Sequence, residues 1–115
     1  MSFQELCKKY NIQFKKQLGQ NLLLDDNINR IMVDAAGLDK TIDVIEVGAG
    51  LGALTTRLHP LARRVLAIEI DRTFMPALED QFGAIDNVVL FRGDALNHDP
   101  ADLVDEHLPG AERLA

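Results

Sequence analysis

From Glu46 to Thr55 the chain reads Glu-Val-Gly-Ala-Gly-Leu-Gly-Ala-Leu-Thr, directly after the apolar pair Val44-Ile45. A buried strand here runs into a glycine-rich turn and then into a helix carrying Leu54 and Leu58 at helical spacing. Glycines let the backbone approach a ligand where a Cβ would collide, and the following helix offers unpaired N–H groups and a positive dipole end. A strand–turn–helix unit of this kind buries its apolar surface only against further strands, so the segment constrains the whole chain to an α/β layer structure.

The rest of the sequence supplies those strands. Asp43–Val47 is the short first strand, Arg64–Ile70 a second rich in Val, Leu and Ile, and Val88–Arg92 a third. Between them lie helices. Asn27–Ala36 repeats Ile28, Ile31, Met32 and Ala35 at helical spacing, with Asp25 or Asp26 as cap and Gly37 closing it. The helix after the glycine run stops at or just before Pro60. The next has Thr73 as a plausible cap, Pro76 in its first turn, Phe74, Leu78 and Phe82 on its apolar face and Gly83 at its end. Ala101–Leu108 forms a last short helix before Pro109-Gly110. Three parallel strands joined by helices are expected over residues 25–115, while residues 1–24 lack a clean period and read as an arm followed by a loop at Gly19-Gln20-Asn21. No repeat or low-complexity tract is present.

Charge divides the chain in the same place. The net charge of −6 argues against a nucleic-acid partner only until it is resolved along the sequence. Residues 1–20 hold Lys8, Lys9, Lys15 and Lys16 against Glu5, a net of +3, whereas residues 21–115 carry eight basic and seventeen acidic groups, a net of −9. Phosphate contacts are therefore expected on the arm, with a solvated basic tail as the alternative. No run of about 18 apolar residues and no signal-peptide pattern occurs, so the chain reads as soluble and cytoplasmic, without a membrane partner. Cys7 has no second cysteine to pair with, and His59, His98 and His107 match no ligand spacing and read as surface residues, so no metal site is expected.

Three elements fall at the carboxyl ends of three successive strands: Gly48 of the glycine loop, Glu69 and Asp94. They should share one crevice. An acid at the end of the second strand, about 20 residues beyond such a loop, can accept both hydroxyl hydrogen bonds of a ribose. Gly48-x-Gly50-x-x-Ala53 also satisfies a relaxed dinucleotide fingerprint, so the loop does not by itself choose between NAD and S-adenosylmethionine. Glu46 favours the latter, whose amino-acid end carries an ammonium; alternatively Glu46 satisfies N–H groups of the loop. Asp94 can accept from an adenine amino group with Ala95-Leu96 flanking the ring, or it can serve as a turn cap.

Taken in order, Leu18-Gly19-Gln20-Asn21-Leu22-Leu23, the glycine run, Glu69-Ile70-Asp71 and Gly93-Asp94-Ala95-Leu96 resemble the rRNA adenine N6,N6-dimethyltransferase family. The resemblance covers about Phe14 to Asp94, with Leu18 standing where the family usually has an aromatic residue. It implies a class I, Rossmann-like methyltransferase sheet, S-adenosylmethionine as cofactor and adenines of small-subunit rRNA as the target. Carried over, the cofactor contacts are Asn21, Leu23, Gly48, Glu69 and Asp94, beside which the residues themselves point to Glu46, Gly50 and Ala95, and Lys15 and Lys16 lie on the RNA side. Without the resemblance, Gln20-Asn21 reads as a polar turn.

The resemblance also implies a catalytic Asn-Leu-Pro-Tyr or Asn-Ile-Pro-Tyr motif after a fourth strand. The 115 residues contain no such motif and no residue assigned to catalysis. The expectation is accordingly an N-terminal cofactor-binding segment, inactive alone, whose first strand lies at a sheet edge and invites self-association. A dinucleotide-binding oxidoreductase fragment and a non-catalytic RNA- or DNA-binding relative of the methyltransferases are the alternatives.

Overall fold

The computed structural model describes Lys8, Lys9 and residues 26–115. Seven helical and strand segments expected from the sequence recur within one or two residues of their expected bounds. Helix α1 (Asp26–Ala36) ends at Gly37, whose φ of 60° makes the left-handed turn that closes it. Strand β1 (Ile42–Val47), helix α2 (Ala53–Leu58), strand β2 (Arg64–Glu69), helix α3 (Met75–Phe82) and strand β3 (Val88–Arg92) follow. Helix α4 (Pro100–His107) begins one residue before the expected start, because Asp99 accepts from the N–H of Ala101 and Pro100 fits the first helical position. Lys8 and Lys9 are helical, and Lys9 Nζ meets Asp80 Oδ2 of α3 at 2.6 Å.

Two expectations are corrected. Among the described residues the sheet has four strands, not three: β4 (Arg113–Leu114) runs parallel to β1 with Arg113 opposite Ile42 and Leu114 opposite Asp43. Ala115 extends the contact, donating to the Asp43 carbonyl and accepting from the Ile45 N–H. Among the described residues the first half of β1 is thus paired on both sides, and its carboxyl half is an edge. The second correction concerns α3, where Thr73 is not the cap. Asp71 instead accepts from both the N–H and the hydroxyl of Thr73, and Phe74 occupies the cap position without a side-chain bond.

All pairings are parallel and the strand order is β3-β2-β1-β4. Stepping from β1 through β2 to β3 moves one way across the sheet, and the return to β4 moves the other way. Right-handed crossovers then put the intervening helices on opposite faces. The packing follows: Val33, Val44, Leu58 and Val65 form one cluster, and Ala67, Leu78 and Phe82 another, on the face covered by α1, α2 and α3. Leu66, Ile68, Leu103 and Leu108 fill the face under α4. Among the described residues no helix is long and apolar enough to cross a membrane.

One buried ion pair ties the amino ends of β1 and β2. Asp43 is fully buried and opposite Arg64, which donates from Nε to Oδ1 at 2.9 Å and from a terminal nitrogen to Oδ2 at 2.8 Å. The Asp43 hydrogen bond holds the Arg64 guanidinium above its ordinary pKa. Such a two-pronged pair fixes register as well as charge. Asp43→Asn leaves the guanidinium without its counter-charge, and urea denaturation at neutral pH should show a loss of about 3 kcal/mol.

Candidate functional site

The order β3-β2-β1-β4 reverses between β1 and β4, and in open parallel sheets the crevice for ligands opens outside the carboxyl ends of the strands at that point. The glycine loop lies there. The Gly48 and Ala49 N–H groups donate to the carbonyl of Ile68 at 2.8 and 3.1 Å, which binds the loop to the end of β2. Gly93 donates to the carbonyl of Glu69 at 2.9 Å and so joins the end of β3 to the same place. Gly48, Gly50, Glu69 and the turn bearing Asp94 and Ala95 are brought together as expected from the sequence.

Two glycines of the loop require their lack of a side chain for different reasons. At Gly52 φ is 85°, and an added Cβ would sit 2.7 Å from Cζ of the Phe82 ring, so the residue lets α2 and α3 pack. At Gly48 φ is 80° and a Cβ would meet nothing within 4 Å. Gln81 of α3 steadies the loop from below by donating to the Leu51 carbonyl at 2.7 Å.

Glu69 is buried and both of its oxygens are engaged. Oε1 accepts from the Gly50 N–H at 2.7 Å and Oε2 from the Asp71 N–H at 2.9 Å. A carboxylate has about four acceptor positions, so two remain for a ligand's hydroxyls. Glu46, 5% exposed, stands over Ala67 in the β1–β2 register, where the small neighbour leaves it room. It does not satisfy loop N–H groups, the alternative reading for this residue; Glu69 does that. Glu46 Oε1 instead accepts from the hydroxyl of Thr55 on α2, and Oε2 is buried with no hydrogen-bond partner among the described residues.

Burial pushes the Glu46 carboxyl up to about 7, with the Thr55 hydrogen bond opposing and the nearby Glu69 charge adding to the rise. Asp94 accepts from the Leu96 N–H at 3.0 Å and caps a single 3-10 turn at Ala95–Asn97. This is the turn-cap alternative, and it leaves the second carboxylate oxygen for other partners. Asn21, Leu23, Lys15, Lys16, Gln20 and Cys7 lie outside the described residues, as does Asp25, one of the two expected caps of α1.

Three features escaped the sequence reading. Val47 and Ile70, 68% and 60% exposed, are apolar side chains at or just beyond strand ends, whereas Leu96, 93% exposed in the turn after β3, was expected to flank a ring. For Ile70 the signal was available: an apolar residue between two acids just past a strand has no core to enter. Thr55 carried no such signal. His107 is not a surface residue, since its ring lies mostly buried 4.9 Å from that of Phe91, while His98 meets the same phenylalanine edge-on at 5.3 Å. Among the described residues no group of His, Cys, Asp or Glu is arranged to hold a metal ion.

Solved structures share this arrangement. The chain superposes on a dimethyladenosine transferase from Plasmodium falciparum with a TM-score of 0.59 and 29% identity over 64% of this chain and 27% of that one. It matches the 23S rRNA methyltransferase ErmE with a TM-score of 0.58 and 32% identity over 66% and 31% of the respective chains. The fold is that of the Rossmann-like S-adenosylmethionine-dependent methyltransferases. Residues 11–114 match the family model of ribosomal RNA adenine dimethylase, and the chain belongs to that family. It is 45% identical over 111 residues to the ribosomal RNA small subunit methyltransferase A of Lysinibacillus sphaericus, covering 96% of this chain and 38% of the relative. The protein of that name from Listeria welshimeri is 42% identical over 108 residues, 94% of this chain and 37% of the relative. The chain thus spans well under half the length of these curated relatives.

The half-paired Glu46 gives stability a pH dependence of defined sign. Its folded pKa of about 7 lies above the ordinary 4.5, so between these values the folded state holds more protons than the unfolded one. Stability from this group is therefore full below pH 4.5 and falls as pH rises to 7, by at most about 3 kcal/mol. Glu46→Gln should abolish that component: in urea melts at pH 5 and pH 8, the wild-type chain should lose stability relative to the variant on going to the higher pH.

Proposed function

We propose that this chain is the cofactor-binding segment of an S-adenosylmethionine-dependent enzyme that dimethylates N6 of adenines in small-subunit rRNA, in the course of ribosome biogenesis in the cytoplasm. The observation that carries the choice of cofactor is how the loop spends its N–H groups. Those of Gly48 and Ala49 go to Ile68, that of Gly50 to Glu69 and that of Gly52 to Ala49. A diphosphate cradle needs these donors turned outward, and the two buried carboxylates beside them repel a polyanion. Helix α2, six residues long and begun by Gly52 without a side-chain cap, adds little dipole. The loop suits a ligand with hydroxyls and a cation.

S-adenosylmethionine fits these residues. Glu69 would accept from the ribose hydroxyls, and the unfilled Oε2 of Glu46 is an acceptor for the ammonium of the amino-acid end. Gly48 leaves room for the ligand against the loop, while Ile70 and Leu96 offer apolar faces for the adenine and Asp94 an acceptor for its amino group. The bound cofactor supplies an electrophilic methyl group on a sulfonium. The family resemblance adds Asn21 and Leu23 as further contacts, Ala95 beside the ring, and Lys15 and Lys16 toward RNA phosphates. The exocyclic amine of adenine is a poor nucleophile, so methyl transfer requires residues that extrude and align the base. This segment on its own should bind cofactor and not turn over.

Calorimetric titration with S-adenosylhomocysteine, with NAD as control, tests the reading. Binding of the former alone is expected, weakened at least about tenfold by Glu69→Gln, which keeps the side chain's shape while removing its charge. NAD binding in preference, or no effect of the substitution, would sink it.

The carboxyl half of β1 remains an edge beyond its partners in β4, with Val47 exposed beside it. An unpaired apolar edge recruits a second copy. Light scattering of the 115-residue chain should give a dimer or larger species at tens of micromolar, and a monomeric mass at that concentration would refute self-association.

A further inference from the structure

Thr55 and Thr56 are neighbours on α2 and use their hydroxyls differently. Thr56 bonds back to the carbonyl of Gly52, four residues earlier, at 2.8 Å, which is the usual resort of a helical threonine. Thr55 donates instead across the layer to Glu46 Oε1 on β1. It is fully buried between Ala53 and Leu58, a position where valine would fill the same volume with no polar atom to satisfy. The other donors near Glu46 are committed elsewhere: Gly48 and Ala49 to Ile68, and Gly50 to Glu69. Thr55 is the hydrogen-bond partner that orients this carboxylate, and the orientation leaves Oε2 as the unfilled acceptor.

We propose that Thr55 is a positioning residue for cofactor recognition: its hydroxyl fixes one oxygen of Glu46 so that the other is held ready for the cationic amino-acid end of the ligand. The inference rests on the function just proposed and goes one step beyond it, since it assigns the discrimination between a nucleoside and the full cofactor to a side chain that touches neither. Without the hydroxyl, Glu46 loses the one bond that fixes its carboxylate and gains torsional freedom. The ammonium then meets an acceptor that is displaced. The ribose contacts through Glu69 are unaffected, because Glu69 is held by Gly50 and Asp71 and not by Thr55.

The test compares S-adenosylhomocysteine with 5′-methylthioadenosine, which keeps the adenine and ribose and lacks the ammonium and carboxylate. Thr55→Val should weaken the former at least about tenfold and the latter by less than twofold, and Thr55→Ser should restore wild-type discrimination. Placed on a Glu46→Gln background, Thr55→Val should cost nothing further for either ligand. Thr55→Ala serves the same comparison should valine perturb the fold, as judged by circular dichroism. Equal losses for both ligands, or unchanged affinity for both, would overturn the proposal and reduce Thr55 to a core residue. Failure of the unaltered chain to bind S-adenosylhomocysteine would instead bring down the function proposed above and this inference with it, and that result is read on wild type before any variant.

Discussion

Parallel pairing of β1 with β2 carries two carboxylates into the body of the sheet, and the protein treats them in opposite ways. At the amino end Asp43 is met by the guanidinium of its cross-strand partner Arg64, which satisfies both oxygens. At the carboxyl end Glu46 faces Ala67, receives one hydroxyl from Thr55 and keeps an oxygen without a partner. The first arrangement repays most of the cost of burying charge. The second leaves a cost of about 1–3 kcal/mol outstanding until a donor arrives. A single six-residue strand thus has an end that holds the fold and an end that holds an unmet bond, and the unmet bond lies at the topological switch point.

Most of the architecture could be read before any coordinate was known. The alternation of short apolar runs with helical spacing placed β1 to β3 and α1 to α4 within one or two residues, because in a parallel sheet the apolar run, the glycine turn and the amphipathic helix are each local signals. Errors fell where structure is set by partners distant in sequence. Arg113-Leu114 has too little periodicity to announce a strand and becomes one only by lying along Ile42 and Asp43. Thr73 looked like a cap, yet its hydroxyl and N–H are taken by Asp71, two residues earlier, and Phe74 holds the cap position of α3 with no side-chain bond. His107 has nothing in its neighbourhood to mark it as buried, since it is the Phe91 ring on β3 that covers it.

The site was legible to the level of which residues gather, less so to what each does. Gly48, Glu46, Glu69 and Asp94 were drawn together by their positions at the ends of strands, which spacing alone supplies. Their bonds were not deducible. The sequence offered Glu46 as the acid that satisfies the loop's N–H groups; it is the three-dimensional register that gives Gly50 to Glu69 and leaves Glu46 to Thr55. Asp94 kept its alternative role as a turn cap. One oxygen spent on the Leu96 N–H does not remove the other from the crevice, so capping and ligand binding are compatible at that residue.

The two carboxylates are also coupled. The charge on Glu69 is one of the causes that raise the Glu46 carboxyl to about 7, after burial itself. Both sit at the same loop, Glu69 through its bond to Gly50 and Glu46 two residues before Gly48, so their separation is fixed by hydrogen bonds and not by flexible side chains. A ligand that offers hydroxyls to one and a cation to the other neutralises the repulsion at the moment it binds. A ligand that offers only hydroxyls leaves the repulsion in place, and a phosphate adds to it. On the function proposed above, selectivity for a cationic nucleoside would follow from electrostatics that are built before the ligand arrives, with the loop as the spacer that sets the distance between its two ends.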